Sequence, residues 1–302
     1  MSVAILIVSF RAYDALDRCL ASVAPFLAPE DEVVVVDHES DEPRLRESLS
    51  RCPRAVGIPR PDNPGFATGV NRAAAASGAT HLLLLNPDTE MIDDAPRALE
   101  TWLTAHPDAG VAGPRVLNLD GSIQPTARRF PGLSTVLGGR STWFTARFPN
   151  NWLTRRNLIG RDATAPLGVD WISGACLMTP RHVFDRLGGL DESFFLYQED
   201  IDYCRRALSA GYRSVFVPLA TVRHQVGASA AYMPEQSICA FHESAFRCYW
   251  KHAGFAGRTA APLVWLGLRM RGALRLHAAR RHRRAIRPVA GATTRQPAPN
   301  RP

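Results

Sequence analysis

What the chain lacks narrows its role first. Its 302 residues contain no run near the ~20 apolar residues needed to span a bilayer, and the longest candidate, 260–268, is far too short. The six cysteines form no CxxC pair, and no His cluster stands beside them at zinc spacing. Scattered thiols of this kind suit a reducing compartment and read as buried, inert groups. The opening stretch, 1–10, has no basic start and no small-residue cleavage site, so it reads as a buried first strand rather than a leader. Acidic side chains are absent after Glu243. That region holds twelve arginines and the chain's only lysine, Lys251, and so carries +13, while the first 243 residues carry −5 and the whole chain +8. Such a basic block reads as a contact for an anionic surface: membrane, nucleic acid or phosphate.

What is present suits a sizeable globular core, with 46% hydrophobic and 21% charged residues. The first third alternates strand and helix patterns. Val3–Ser9 reads as a strand, 13–24 as a helix and 32–36 as a β-branched buried strand. Then come a short helix at 44–50, an Ala-rich helix at 69–76 and the apolar strand His81–Leu85. This order predicts an α/β fold with a mainly parallel sheet and helices on both faces. Residues 110–170, rich in Pro, Gly and Arg, read as irregular connections. A strand at 169–178, helices at 181–187 and 199–210, and a strand at 214–217 that stops before Pro218 follow. From about Tyr232 the pattern is helical, and from Arg287 it is disordered in composition.

Open parallel sheets bind ligands beyond the carboxyl ends of their strands. The polar residues there are Asp37 after four valines, and Asn86-Pro87-Asp88 after the third apolar strand. Asp37 suits a pyrimidine N–H or a ribose hydroxyl, or else caps a helix. Asp88 suits a divalent metal shared with phosphates, or else makes a turn. The stretch Asn63-Pro64-Gly65-Phe66 opens a helix whose N–H groups suit phosphate or ribose, or is only a tight turn. Glu199-Asp200-Ile201-Asp202 follows an aromatic run, so its carboxylates emerge from a partly dry surface that favours a general base; helix-dipole compensation is the alternative. His224 can ligate a metal or simply pack.

Taken in order, these segments resemble the family 2 glycosyltransferases, which have the GT-A fold. The matching pieces are Val8-Ser9-Phe10, Val36 through Asp41, Asn63 through Phe66 with Asn71, Leu85 through Asp88, Trp171 through Ala175, Gly188 through Phe195, Glu199 through Asp202, and His224. Each is short, but the ordered set spans about residues 3–228. Within the family the pattern resembles bacterial rhamnosyltransferases that build cell-wall linkers and O-antigen. The resemblance implies a donor pocket of Ser9, Asp37, Ser40, Asn63, Gly65, Phe66, Asn71, Asn86 and Asp88, with Asp200 as general base. It implies an acceptor side of Trp171, Ser173, Gly174, Glu199 and Asp202, and Mg2+ or Mn2+ on Asp88 and His224. His38 stands where the family more often has Asn, and Asn86-Pro87-Asp88 supplies one carboxylate where the DxD motif supplies two.

The implied organisation is a GT-A domain over 1–228, a basic helical C-terminal extension over 229–287 and a disordered tail over 288–302. The implied partners are a nucleotide-sugar donor, dTDP-rhamnose first, and a glycan or polyprenyl-diphosphate acceptor. Galactofuranosyl or other hexosyl transfer is the alternative. The basic tail implies a peripheral place on the cytoplasmic face of the membrane; a homo-oligomer is left open. Leu263, Leu266, Met270 and Leu274 fall on one side of the tail helix and Arg271 and Arg275 on another, while Trp265, Leu268 and Leu276 spoil the pattern. A nucleic-acid binder would interleave aromatics with the basic block, yet only Trp265 follows Phe255. A dinucleotide oxidoreductase would carry GxGxxG after strand one, where this chain has Arg11-Ala12-Tyr13-Asp14. A non-catalytic sugar-nucleotide-binding or anionic-surface-binding protein is the alternative of another class, and the presence of both Asp88 and Asp200 argues against it.

Overall fold

Strands buried on both faces need apolar residues at every position, and the valines of 33–36 and the run from Val3 to Val8 supply them. In the computed structural model, which describes residues 1–132, 147, 163–225 and 233–286, both runs sit inside the sheet. The elements in chain order begin β1 (Val3–Ser9), α1 (Tyr13–Val23), β2 (Glu32–Asp37), α2 (Glu42–Leu49), β3 (Ala55–Pro59), α3 (Phe66–Ala75) and β4 (His81–Leu85). There follow β5 (Thr89–Met91), α4 (Ala95–Ala105), β6 (Ala109–Leu117), β7 (Ile123–Gln124), β8 (Ala127–Arg128), β9 (Leu167–Val169), β10 (Trp171–Ile172) and β11 (Cys176–Pro180). The chain continues through α5 (Arg181–Arg186), α6 (Glu199–Ser209), β12 (Arg213–His224), α7 (Pro234–His252), α8 (Phe255–Thr259) and α9 (Ala261–Ile286).

The main sheet runs β3-β2-β1-β4-β11-β6-β12-β5, with β7 on β6 and β9 on β12. β3, β2, β1 and β4 are mutually parallel, as are β6 and β12; β11 runs backwards between β4 and β6. Alternation along β1 divides the core. Val3, Ile5 and Ile7 face Leu16, Leu20, Leu99 and Leu103 of α1 and α4, while Ala4, Leu6 and Val8 face Ala67, Val70 and Ile201 of α3 and α6. Five of the six cysteines are buried, and Cys239 is exposed.

Three expectations need correction. The stretch expected to be irregular contains β6, a nine-residue central strand whose Gly110, Gly113 and Pro114 hide the β pattern. Gly113 is there because Ile172 of β10 crosses it: a Cβ at Gly113 would lie 2.2 Å from Ile172 Cγ2. The last strand does not stop before Pro218 but runs to His224, with a register shift between Val217 and Thr221 that takes Pro218 out of the ladder. The expected strand over 169–178 is three short ones, broken at Ser173-Gly174-Ala175. The expected disordered tail at 288–302 and most of the expected irregular middle lie outside the described residues. Among the described residues, no helix is long and apolar enough to cross a membrane.

The helix after residue 228 is seated on the α/β core. Ser244 Oγ of α7 donates to Leu196 O at 2.9 Å, and Cys248 joins the core cluster of α3 and α6.

Gly113→Ala is expected to destabilise the fold by about 1–3 kcal/mol through overpacking against Ile172. For a chain of this size that lowers the melting temperature by roughly 2–4 °C per kcal/mol. An unchanged thermal melt would show that β10 can shift at no cost.

Candidate active site

Topology gathers the expected residues on one edge. Ser9, Asp37 and His224 end β1, β2 and β12, Asp88 follows β4, and all four strands point the same way. Because β11 is antiparallel to β4, its beginning lies at this edge too. Asn86 N–H donates to Ala175 O at 3.1 Å and Thr89 Oγ1 to the same oxygen at 3.2 Å, which ties the Asp88 turn to the Ser173–Ala175 break.

At the β1–β2 end, Asp37 is buried. Its Oδ2 accepts from Tyr13 Oη at 2.7 Å and from Ser40 N–H at 2.9 Å. Burial first, then the Asp37 carboxylate, pushes the Tyr13 hydroxyl far above the usual phenol value, so it remains a donor. Asp37 Oδ1, Ser9 Oγ and His38 Nε2 are buried with no hydrogen-bond partner in the protein. An orphaned buried polar group costs about 1–3 kcal/mol, so three at one strand edge suit groups reserved for a ligand. His38 Nδ1 faces Arg60 O at 3.0 Å; a carbonyl only accepts, so Nδ1 carries the hydrogen.

At the β4–β12 end, Asp88 Oδ1 and His224 Nε2 are 3.1 Å apart, and His224 Nδ1 lies 2.8 Å from Gln124 Oε1. With Gln124 Oε1 as acceptor, Nδ1 holds the ring hydrogen and a neutral ring turns a lone pair toward Asp88. Two such donor atoms suit neighbouring positions on an octahedral Mg2+ or Mn2+: ligands at about 2.1 Å and a right angle are about 3.0 Å from each other. No group of three or more His, Cys, Asp or Glu suited to a metal exists among the described residues. Two protein ligands leave room for substrate phosphates and water, as hard divalent ions prefer.

Between these ends stands Asp200, half-buried at the start of α6. Its Oδ2 accepts from Gly174 N–H at 3.1 Å and its Oδ1 from Ile201 N–H at 2.8 Å. Burial raises its pKa above the ordinary carboxylate value, and the two N–H groups and Arg128 offset only part of that. Glu199 is buried, with Oε2 unpartnered. Burial and then the Asp200 charge push it well above the ordinary value. Tyr197 and Gln198, just before the helix, both adopt left-handed φ, 68° and 72°. Non-glycine residues held this way cost of order 1–3 kcal/mol each and cluster at functional sites.

Other expected residues hold the frame. Gly65 (φ 105°) begins α3 where Phe66 N–H donates to Phe195 O at 2.8 Å, and a Cβ at Gly65 would lie 2.5 Å from that oxygen. This first N–H of α3 is therefore spent on the Phe195 loop rather than left for a phosphate. Asn63 (φ 38°) closes the turn with its N–H on Arg60 O at 3.2 Å. Asn71, expected to line the donor pocket, bonds Leu190 N–H, Leu190 O and Glu192 Oε1 at 2.8–2.9 Å and so fixes the Gly188–Glu192 loop. Trp171 is buried, its indole N–H on Arg129 O at 2.9 Å and Arg128 over its ring; Ser173 N–H bonds Thr126 O at 3.0 Å.

Asp202, expected on the acceptor side, is 0% exposed and faces α7. Its Oδ2 accepts from Arg206 Nε at 2.7 Å, and its Oδ1 meets both Lys251 Nζ and His252 Nε2 at 2.7 Å. Lys251 also reaches Asp191 Oδ2 at 2.6 Å. Burial opposes ionisation of Asp191, but hydrogen bonds from Lys251 and Ser193 outweigh it and bring its pKa down to about 2. Sequence reasoning missed Tyr13, Gln124, Arg128, Lys251 and His252. Only Lys251 left a signal, as the single lysine in the chain.

Comparison with known proteins agrees with this geometry. A family model described as "Glycosyltransferase like family 2" matches residues 2–240. Over 293 residues the chain is 31% identical to an N-acetylglucosaminyl-diphospho-decaprenol L-rhamnosyltransferase of Mycobacterium tuberculosis, covering 91% of this chain and 94% of that one. Among solved structures, the mannosyltransferase PcManGT of Pyrobaculum calidifontis, in complex with GDP-Man and Mn2+, superposes with a TM-score of 0.57 at 16% identity. That match covers 95% of this chain and 76% of the other. GalNAc-T7 with UDP, GalNAc and Mn2+ gives 0.56 at 18% identity, over 74% of this chain and 44% of that one. At such identities the likeness carries the fold, which is GT-A.

Removing one partner from a buried ion pair typically costs about 3–5 kcal/mol. Asp202→Ala is expected to lose stability on that scale, because it takes one buried carboxylate from Arg206, Lys251 and His252 at once, and Asp202→Asn less. Chemical denaturation measures both. A wild-type midpoint for Asp202→Ala would remove Asp202 as the anchor of α7.

Proposed function

The chain belongs to the family 2 glycosyltransferases, and from that membership we propose that it moves L-rhamnose from dTDP-rhamnose to a polyprenyl-diphosphate-linked glycan at the inner face of the cell membrane. The mycobacterial relative supports the sugar and the acceptor class, since its name states both for that protein. The observation that carries the catalytic reading is Asp200: a carboxylate held by two backbone N–H groups, raised in pKa, on the edge that also bears Asp88, His224 and Asp37.

In this reading Asp37 Oδ1 accepts the N–H of the pyrimidine base, and Ser9 lies beside it on β1. Asp88 and His224 would hold a divalent ion. When bound, that ion supplies positive charge to the leaving phosphates. Asp200 accepts the proton of the acceptor hydroxyl. The acceptor oxygen bonds to the anomeric carbon as the carbon–oxygen bond to the diphosphate breaks on the opposite face. The electron pair leaves with the nucleoside diphosphate, the proton stays on Asp200, and the anomeric configuration inverts. Gly174 and Ile201 aim the carboxylate by fixing both its oxygens, which spares the reorientation a free side chain would need.

Asp200→Asn is expected to retain donor binding and slow transfer by roughly 10²–10⁴-fold, the scale of general-base loss. Asp200 acts ionised and burial raises its pKa, so kcat/KM falls as pH drops through that raised value. The acid limb therefore lies above the ordinary aspartate value of 3.8. Normal turnover of Asp200→Asn with dTDP-rhamnose and a short-chain lipid diphosphate acceptor would overturn the assignment.

For the metal, Asp88→Ala should weaken Mn2+-dependent binding of dTDP, read by titration calorimetry with and without the ion. Excess EDTA should abolish transfer by the wild type. Full activity in EDTA excludes the Asp88–His224 site from the reaction.

A further inference from the structure

We propose that the outer face of α9 is a docking surface for an anionic lipid bilayer. The proposal deepens the reading of a lipid-linked acceptor, and its test reads out separately.

α9 carries two apolar faces. Ala261 and Gly272 are buried and Val264, Leu268 and Leu276 half-buried on the side that packs on α7. Gly272 lies against the His242 imidazole and Arg271 reaches over the Phe241 ring at 5.8 Å, which fixes the helix's rotation. Leu268 and Leu276, which spoil a single-stripe reading of the sequence, belong to this inner face. The opposite side holds Leu263, Leu266, Met270 and Leu274, spaced three and four residues apart and 75%, 51%, 60% and 71% exposed. A helix already docked through one face has no folding reason for a second apolar stripe in water, and four large side chains in line mark an interaction surface.

The surroundings of the stripe select the occupant. Arg269 flanks the stripe on one side and Arg271 on the other, about 60° beyond its edges, and Arg281 follows Leu274 by two turns along it; all three are exposed. No acidic residue occurs in α8 or α9; Arg280 meets Glu235 of α7 at 2.8 Å. An apolar stripe flanked by arginines and free of acidic side chains matches a bilayer interface, with acyl chains under the stripe and anionic headgroups at its margins. A second copy of the chain would bring the same arginines face to face. Phe255, 89% exposed at the start of α8, adds an aromatic near the same end of the helix hairpin.

The surface is tied to the active site. α9 packs on α7, α7 is held by Asp202 through Lys251 and His252, and Asp202 lies two residues from Asp200. A bilayer against α9 thus stands at a fixed height relative to the base.

The test uses the full chain and two vesicle sets, phosphatidylcholine alone and phosphatidylcholine mixed with phosphatidylglycerol, in co-sedimentation across a NaCl series. Expected is binding to the anionic set only, weakening as salt rises. A Leu266→Glu, Met270→Glu double variant should lose it while keeping the wild-type melting temperature. Arg281→Gln should lower partitioning about fivefold, one headgroup-engaged charge. Four results would overturn the proposal: binding to neither set, equal binding to both, undiminished binding by the double variant, or a dimer in light scattering that the double variant dissolves. Turnover of dTDP-rhamnose with a water-soluble, short-chain acceptor is measured in parallel. Vesicle binding without that turnover would sink the proposed function alone, and turnover without vesicle binding would sink this inference alone.

Discussion

β11 enters the sheet backwards between β4 and β6, and the site depends on that reversal. An antiparallel strand begins at the edge where its parallel neighbours end. The residues just before β11 therefore meet those just after β4, and Gly174 N–H is delivered to Asp200 while Ala175 O receives Asn86 and Thr89. Had β11 run parallel, Gly174 would lie at the far edge. Gly113 allows this arrangement by letting Ile172 cross β6 at close range.

Along Glu199-Asp200-Ile201-Asp202, one turn of helix gives three carboxylates three environments. Glu199 is buried with an unpartnered oxygen, Asp200 is half-buried on backbone N–H groups, and Asp202 is buried among Arg206, Lys251 and His252. Acidity near a helix start is ordinary dipole compensation. What separates the three is what each faces, and helical spacing turns Asp202 away from Asp200. The basic extension is thereby coupled to the α/β core through a charge cluster as well as through packing.

Much of this was legible in sequence because it is local. The valine run at 33–36 and the leucine run at 82–85 announced buried parallel strands, and the ends of those strands pointed to Asp37 and Asp88. The GT-A fold and the family followed from the order of short motifs. Individual duties were less legible, since they are set by contacts across the chain. Nothing near Asn71 indicates that its amide serves a loop about 120 residues away. Gln124 sits in a two-residue strand with no periodicity to read. β6 was hidden by glycines that tertiary crossing requires, and β12 by a proline that a bulge absorbs. The spoiled pattern of α9 was two patterns superposed.

The contact between Gly65 and Phe195 bears on how such an enzyme can change its substrate. The first turn of α3, beside the nucleotide edge, and the loop leading to Asp200 share a backbone hydrogen bond, with no room at residue 65 for even a methyl group. Any side chain there would push the Phe195 backbone, and the displacement would pass to the helix four residues on. On the proposed reading, new donor preferences therefore cannot arise at this turn without disturbing Asp200. On that reading variation has to enter through side chains rather than main chains, and His38, beside the orphaned oxygens of Ser9 and Asp37, is such a position.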